Sequence, residues 1–329
     1  MRFLLISLLL LFFYVLYPGS LKAQHFYDNP VAFSTNNTQL TIWNGNEYVP
    51  FFIKGINLGI SVPGTFPGEL AANKEQYFRW FHEIKEAGFN CIRLYTLHYP
   101  HFYELLDSFN NENQNNPLFF FQGVWLNEEN NGSNNDIYSL DTEFSTEIEE
   151  NVDCVHGNRT ISARFGKAFG SYSNDASVWC IGYIIGRETF PNEILGTNMQ
   201  HPSDTFYEGI HFSIHHVRAS ETWFVKKLDY LVDYEYTNYQ VQKPVSVSSW
   251  PTLDPILHSE EKNREEDTAF VDLSGVELTD APGGFFISYH AYPYYPDFVS
   301  TQSSYQHYAD DYGPNSYFGY LTELKSHYQ

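Results

Sequence analysis

The stretch WCIGYIIGRE, Trp179 to Glu188, decides the fold. It carries no charge until Arg187 and Glu188, and loop chemistry follows at Pro191 and Asn192. A short apolar run of this kind reads as a strand buried on both faces, as in a parallel sheet, with a carboxylate at its C-terminal end. In a barrel of alternating strands and helices, that end carries the chemistry. About 100 residues later a second run, FFISYHAYPYYP, ends in His290, Tyr292 and Tyr294.

Around these two strands the pattern alternates. FIKGINLG (52–59) is the first strand of the series. A helix follows over 69–87, with Tyr77, Trp80, Phe81, Ile84 and Ala87 as its apolar stripe and Gly88 as its stop. NCIRLYTL (90–97) is a strand. Pro100 to Phe109 is a short helix with Phe102, Leu105, Leu106 and Phe109 on one side. LFFFQGVWL (118–126) is the third strand. Helices are expected over 142–153, over 219–236 (Phe224, Leu228, Leu231) and from Asn315 to His327 (Phe318, Leu321, Leu324). The fourth, fifth and sixth strands are 179–187, PVSVSSW (244–250) and FFISYH (285–290). Ahead of the series lies a leader, residues 24–51, in which Leu40–Trp43, Asn44-Gly45-Asn46 and Tyr48–Ile53 read as a β-hairpin.

Strands alternating with helices imply a parallel α/β architecture. No Gly-rich phosphate fingerprint follows the first strand, which disfavours a dinucleotide-binding sheet. The expectation is a (β/α)8 TIM barrel over residues 52–329, incomplete in this chain. Strands one to six are present and seven and eight are missing, so an open sheet exposes two unpaired edges.

Composition narrows the function. With 43% hydrophobic residues the chain affords a sizeable core, and its 26 Tyr and 6 Trp supply flat amphipathic faces on which sugar rings stack, besides filling the core. A net charge of −22 argues against nucleic acid or anionic lipid as partner. Arg2, the apolar stretch Phe3 to Tyr17, Pro18-Gly19 and Ala23 match a secretory signal peptide over residues 1–23, giving a secreted, periplasmic or extracellular protein; a membrane is a partner only if this segment stays as an uncleaved anchor. Cys91, Cys154 and Cys180 show no metal-ligand spacing, and neither a metal nor a cofactor is expected. Asn36, Asn131 and Asn158 stand in glycosylation sequons.

A Glu and a His-x-Tyr at strand ends suggest a sugar-cleaving site. Retaining glycosidases use two carboxylates about 5–5.5 Å apart, an acid/base and a nucleophile. Glu188 is the acid/base candidate. That role needs a raised pKa, which a dry strand end provides and the positive Arg187 opposes. A surface Glu just past a strand is the plainer alternative.

With FNCIRLYTLHYP, GYIIGRE and HAY in view, residues 50–329 resemble a clan A glycoside hydrolase, the (β/α)8 superfamily that includes families 2 and 5. The resemblance implies a retaining β-glycosidase acting on oligo- or polysaccharides, with Glu188 as acid/base at the end of strand four. It implies that Arg93 is the strand-two arginine bracing the nucleophile, and that His290 and Tyr292 are the strand-six His-x-Tyr whose tyrosine bonds the nucleophile. Arg187 stands where the clan has the asparagine that contacts the substrate 2-hydroxyl. The clan's nucleophile ends strand seven, and no residue here matches it, so the chain by itself is expected to be inactive or nearly so. Trp250, Asn57, Trp125, His98, Tyr99 and Tyr294 fall at strand ends and are candidate substrate contacts; Trp250 fits core packing equally, and Asn57 a cap.

Two other readings stay open. One is a non-catalytic glycan-binding protein with an eroded barrel. The other is a metal-dependent barrel hydrolase using His211, His215 and His216, although these fall on helix or loop positions rather than strand ends.

Overall fold

The computed structural model describes residues 29–66, 69–128 and 135–329. The expected signal segment, the start of the leader and the Asn131 sequon lie outside the described residues.

Six parallel strands lie side by side in chain order: β1 Gly55–Asn57, β2 Cys91–Arg93, β3 Phe119–Val124, β4 Cys180–Ile185, β5 Val245–Ser249 and β6 Ser288–Tyr289. The helices of ten or more residues are α1 Lys74–Glu86, α2 Pro100–Glu112, α3 Asp141–Val155, α4 Pro191–Gln200, α5 Ala219–Tyr239 and α6 Ser316–His327. This is a curled parallel sheet with helical crossovers, the arrangement of an incomplete α/β barrel.

The two central strands explain why uncharged runs were needed. Every residue of β3 and of β4 is buried. Within β4 the packing is close enough to exclude a side chain at Gly182, where a Cβ would stand 2.1 Å from the Pro244 carbonyl oxygen. At the end of the strand, Gly186 takes φ 91°, a left-handed conformation that turns the chain out of the sheet toward Arg187 and Glu188.

Local signals set the helices. Asn73 caps α1 reciprocally with Gln76, each side chain accepting the other's backbone N–H at 2.9 Å, so the helix begins at Lys74 and not at the expected residue 69. Tyr77, Phe81 and Ile84 are its buried face, and Gly88 closes it with φ 79°. No helix among the described residues is long and apolar enough to cross a membrane.

The outer strands differ from the centre. All three residues of β1 are exposed, and β6 is half-buried. Among the described residues each is bonded on one side only. A groove of about 250 Å³ lined by Ile56, Leu58, Trp80 and Phe89 flanks β1; one of about 840 Å³ lined by Phe286, Tyr289, Leu321 and Tyr328 flanks β6. The sixth strand was expected over 285–290. Phe285 does bridge Val245, and the His290 N–H bonds the Ser249 carbonyl at 2.8 Å, but the ladder is regular only at Ser288–Tyr289, as befits a strand with one neighbour.

The leader is a three-stranded antiparallel meander, Phe33–Asn36, Gln39–Trp43 and Tyr48–Pro50, one strand more than the expected hairpin. It joins the barrel core at the N-terminal end of the sheet. Phe33 is 1% exposed and meets Phe119, the first residue of β3, edge-on at 5.2 Å. Three further β elements were not expected: the hairpin Arg159–Ile161/Gly170–Tyr172, a small sheet of Phe206–Glu208, Phe212–His215 and Glu277–Leu278, and the short pair Ala309–Asp310/Gly313–Pro314. Their strands, two to four residues long, are too short to show a period.

Candidate active site

Strand direction gathers the polar groups at the C-terminal ends. Arg93 is the last residue of β2, Ser248 lies near the end of β5, and Glu188 and His290 follow β4 and β6. Arg93 Nη1 donates to His290 Nε2 at 2.6 Å and Nη2 to Ser248 Oγ at 3.1 Å. Because Nε2 accepts from the guanidinium, the imidazole proton resides on Nδ1. Nδ1 then donates to Glu188 Oε1 at 2.8 Å, and the Tyr292 hydroxyl donates to the same oxygen at 3.0 Å. The result is one line of hydrogen bonds, Arg93 to His290 to Glu188, closed by Tyr292. Tyr95 supports it from beside: the Arg93 guanidinium lies 4.3 Å from its ring centre, and its ring meets that of His290 edge-on at 5.4 Å.

The electrostatics correct one expectation. Glu188 sits below its ordinary value, not above it. The His290 hydrogen bond is the main cause; burial pushes the other way, and the Tyr292 hydrogen bond and the Arg93 charge add to the lowering. Unliganded Glu188 is therefore an ionised carboxylate.

The neighbours of this line are sorted by direction. Arg187 points away from the mouth. It is 2% exposed and grips Glu193 with both terminal nitrogens, at 3.0 and 2.6 Å, so the expectation that it contacts substrate is corrected. His98 is likewise corrected. It is fully buried in the core, bonded through Nδ1 to the Tyr77 hydroxyl at 2.6 Å, and burial lowers its pKa to about 3. Trp250 is 8% exposed. Its indole N–H donates to the Thr189 carbonyl at 3.0 Å, and its ring stacks with Tyr295 at 6.4 Å. Asn57 is exposed and in register with Arg93; Tyr294 is exposed; Tyr99 is half-buried against Phe169 and His101. Trp125, half-buried, lines a small pocket with Glu143 and Phe144 on α3.

His211, His215 and His216 do not converge. His211 is buried with Nδ1 on the Asp280 carbonyl, His215 stacks with Phe206, and His216 is exposed. Among the described residues no three His, Cys, Asp or Glu side chains are grouped to hold a metal ion. The three cysteines are buried and free, and burial pushes the Cys180 thiol up to about 12.

Sequence reasoning missed Ser248, Tyr95 and Tyr295. Tyr95 was within reach, since it stands two positions after Arg93 and so continues that side of the strand. Tyr295 acts through contacts across the fold that no local pattern encodes.

No family model matches the chain, and no curated protein matches it in sequence. Among solved structures it is similar to a β-glucuronidase of Parabacteroides merdae, with a TM-score of 0.37 and 12% identity, over 71% of this chain and 24% of that one. It is also similar to a β-D-mannosidase of Dictyoglomus thermophilum, with a TM-score of 0.27 and 13% identity, over 48% of this chain and 16% of that one. The chain thus spans about a quarter of the first protein and about a sixth of the second.

Proposed function

We propose that the mouth is a β-glycosidase-type site with Glu188 as its acid/base. The observation that carries this reading is the unbroken line Arg93–His290–Glu188–Tyr292, assembled from the C-terminal ends of β2, β4 and β6. As an acid, Glu188 must hold a proton during bond cleavage. A sugar filling the mouth removes water from around the carboxylate, which favours the neutral form and offsets the lowering by His290. Among the described residues no second carboxylate bonds to this line. The resemblance places the nucleophile at the end of a seventh strand, and retaining turnover needs that strand beside β6.

The test is hydrolysis of two aryl β-glycosides that differ in leaving-group acidity. In a form of the protein that includes the seventh strand, and with Glu188 as acid, Glu188→Gln slows the poor leaving group by about 10²–10⁴ and largely spares the activated one. Equal loss on both substrates removes the acid role. The lowered pKa of Glu188 favours a second reading, a glycan-binding protein without turnover. Saturable glycoside binding with no hydrolysis of either substrate by the form that includes the seventh strand supports that one. We also propose export, with a mature chain beginning at Gln24; N-terminal sequencing of exported protein that still shows Met1 rejects cleavage.

A further inference from the structure

The chain beyond β6 carries a second carboxylate contact that mirrors the first. A single antiparallel bridge joins Tyr292 and Tyr295. Tyr292 donates its hydroxyl to Glu188; Tyr295 donates its hydroxyl to Glu266 Oε1 at 2.9 Å. Trp250 ties the two sides together, since its ring stacks with Tyr295 and its indole N–H bonds the carbonyl of Thr189, the residue after Glu188. The Tyr295 hydroxyl is pushed up to about 12 by burial, by its bond to Glu266, and by the charges of both Glu266 and Glu188. Both carboxylates therefore act on one hydroxyl. Tyr292, Tyr294 and Tyr295 are all exposed, so their rings stand open to a ligand.

Glu266 is a fixed group despite lying on a polar loop. Thr252 Oγ1 donates to Oε2 at 2.9 Å and Asn263 Nδ2 to Oε1 at 3.2 Å, in addition to Tyr295. An ionised carboxylate has about four acceptor positions, so three donors leave room for a ligand hydroxyl. The arginines beside Glu188 are committed. Arg187 is locked to Glu193, and Arg93 spends both terminal nitrogens on His290 and Ser248. Lys262 and Arg264 are exposed and pair with neither Glu188 nor Glu266.

We propose that Glu266 is a second carboxylate of this mouth, a binding residue held across an aromatic shelf from Glu188, and that the mouth takes an uncharged sugar in preference to a uronic acid. The proposal rests on the glycoside reading above. The shelf accepts the apolar face of a sugar ring, Glu266 accepts a ring hydroxyl, and a uronate carboxylate meets two like charges while Arg93 and Arg187, the arginines beside Glu188, are already bonded to other groups.

The experiment is calorimetric titration of the full chain with phenyl β-D-glucoside and with phenyl β-D-glucuronide at one low ionic strength. The glucoside is expected to bind about ten-fold more tightly, a gap worth one charge interaction at a half-buried site and narrowed by salt. Glu266→Gln removes the charge and one acceptor oxygen, so it weakens the glucoside by about two- to three-fold and tightens the glucuronide, which closes most of the gap. Tyr295→Phe releases Glu266 and weakens the glucoside several-fold. Glucuronide binding equal to or tighter than glucoside binding overturns the proposal. A gap that persists in Glu266→Gln and closes in Glu188→Gln also overturns it, while leaving the glycosidase-type site intact. Failure of both glycosides to bind removes the site reading and this proposal with it.

Discussion

The molecule builds the same pair twice. Glu188 meets His290 at 2.8 Å, and Glu235 meets His156 at 2.9 Å. Each carboxylate also accepts a tyrosine hydroxyl, from Tyr292 at 3.0 Å and from Tyr183 at 3.0 Å, and each group includes a cation. The difference lies in the cation's place and in exposure. Lys243 touches Glu235 directly, at 2.8 Å, and Glu235 is 1% exposed. Arg93 touches the imidazole instead, one bond removed from Glu188, whose side chain is 34% exposed. Burial is the strongest influence on Glu235 and pushes its pKa up, but Lys243 and His156 together overcome it and hold the group below the ordinary value. At Glu188 the His290 hydrogen bond leads and burial is secondary. The first group is a sealed ionic cluster tying α5 to β4. The second leaves its carboxylate open to a ligand. Polar composition alone does not mark a site; the reach of the carboxylate to solvent does.

The comparison breaks most visibly at Glu235. Glu235→Ala leaves Lys243 buried without a counter-charge and His156 without its hydrogen-bond partner, which is expected to cost about 3–5 kcal/mol in urea unfolding. Glycoside affinity of the folded fraction should not move. A loss below about 1 kcal/mol shows that the cluster is wetter than its geometry implies.

Acid sharpens it next. Both carboxylates have folded-state values below the ordinary 4.5. Each therefore contributes stability that is fully present above the unfolded value and is lost as the pH falls through the folded one. Stability is expected to hold near pH 7 and to decline below about pH 4.5. Glu188→Gln costs about 1 kcal/mol or less at pH 7, because solvent screens a group exposed to this degree, and it flattens part of the acid decline. If that variant leaves the acid limb of the unfolding curve unchanged, Glu188 is not held low.

The smallest effect belongs to Tyr292→Phe. It removes one hydrogen bond at an exposed position, about 0.5–1 kcal/mol, and raises the pKa of Glu188 toward 4.5. An unchanged pKa assigns the lowering to His290 and Arg93 alone.

The sheet and half of the mouth were legible because a parallel sheet writes itself as uncharged runs. Arg93, Glu188 and His290 stand where such runs end, and strand direction brings those ends together. Arg187 was misjudged for the complementary reason. Neighbouring residues at a strand end face opposite ways, so the residue beside Glu188 points to Glu193 on α4. His98 was misjudged because the chain after β2 folds inward under Tyr77. Glu235 and Lys243 were invisible, since a charge on a helix reads as solvated until a partner eight residues away and another 79 residues away are placed beside it. Glu266 and Tyr295 are joined over 29 residues through irregular chain, where periodicity carries no information.

The most direct test of the account follows the Glu188 carboxyl itself, by carbon NMR of protein labelled at glutamate, titrated with pH in the absence and presence of phenyl β-D-glucoside and assigned with Glu188→Gln. The Glu188 resonance is expected to titrate below the ordinary 4.5 in the free protein and to move upward when the glycoside binds. A Glu188 resonance that titrates at the ordinary value, unmoved by the sugar, contradicts both the hydrogen-bonded line and the proposed glycoside site.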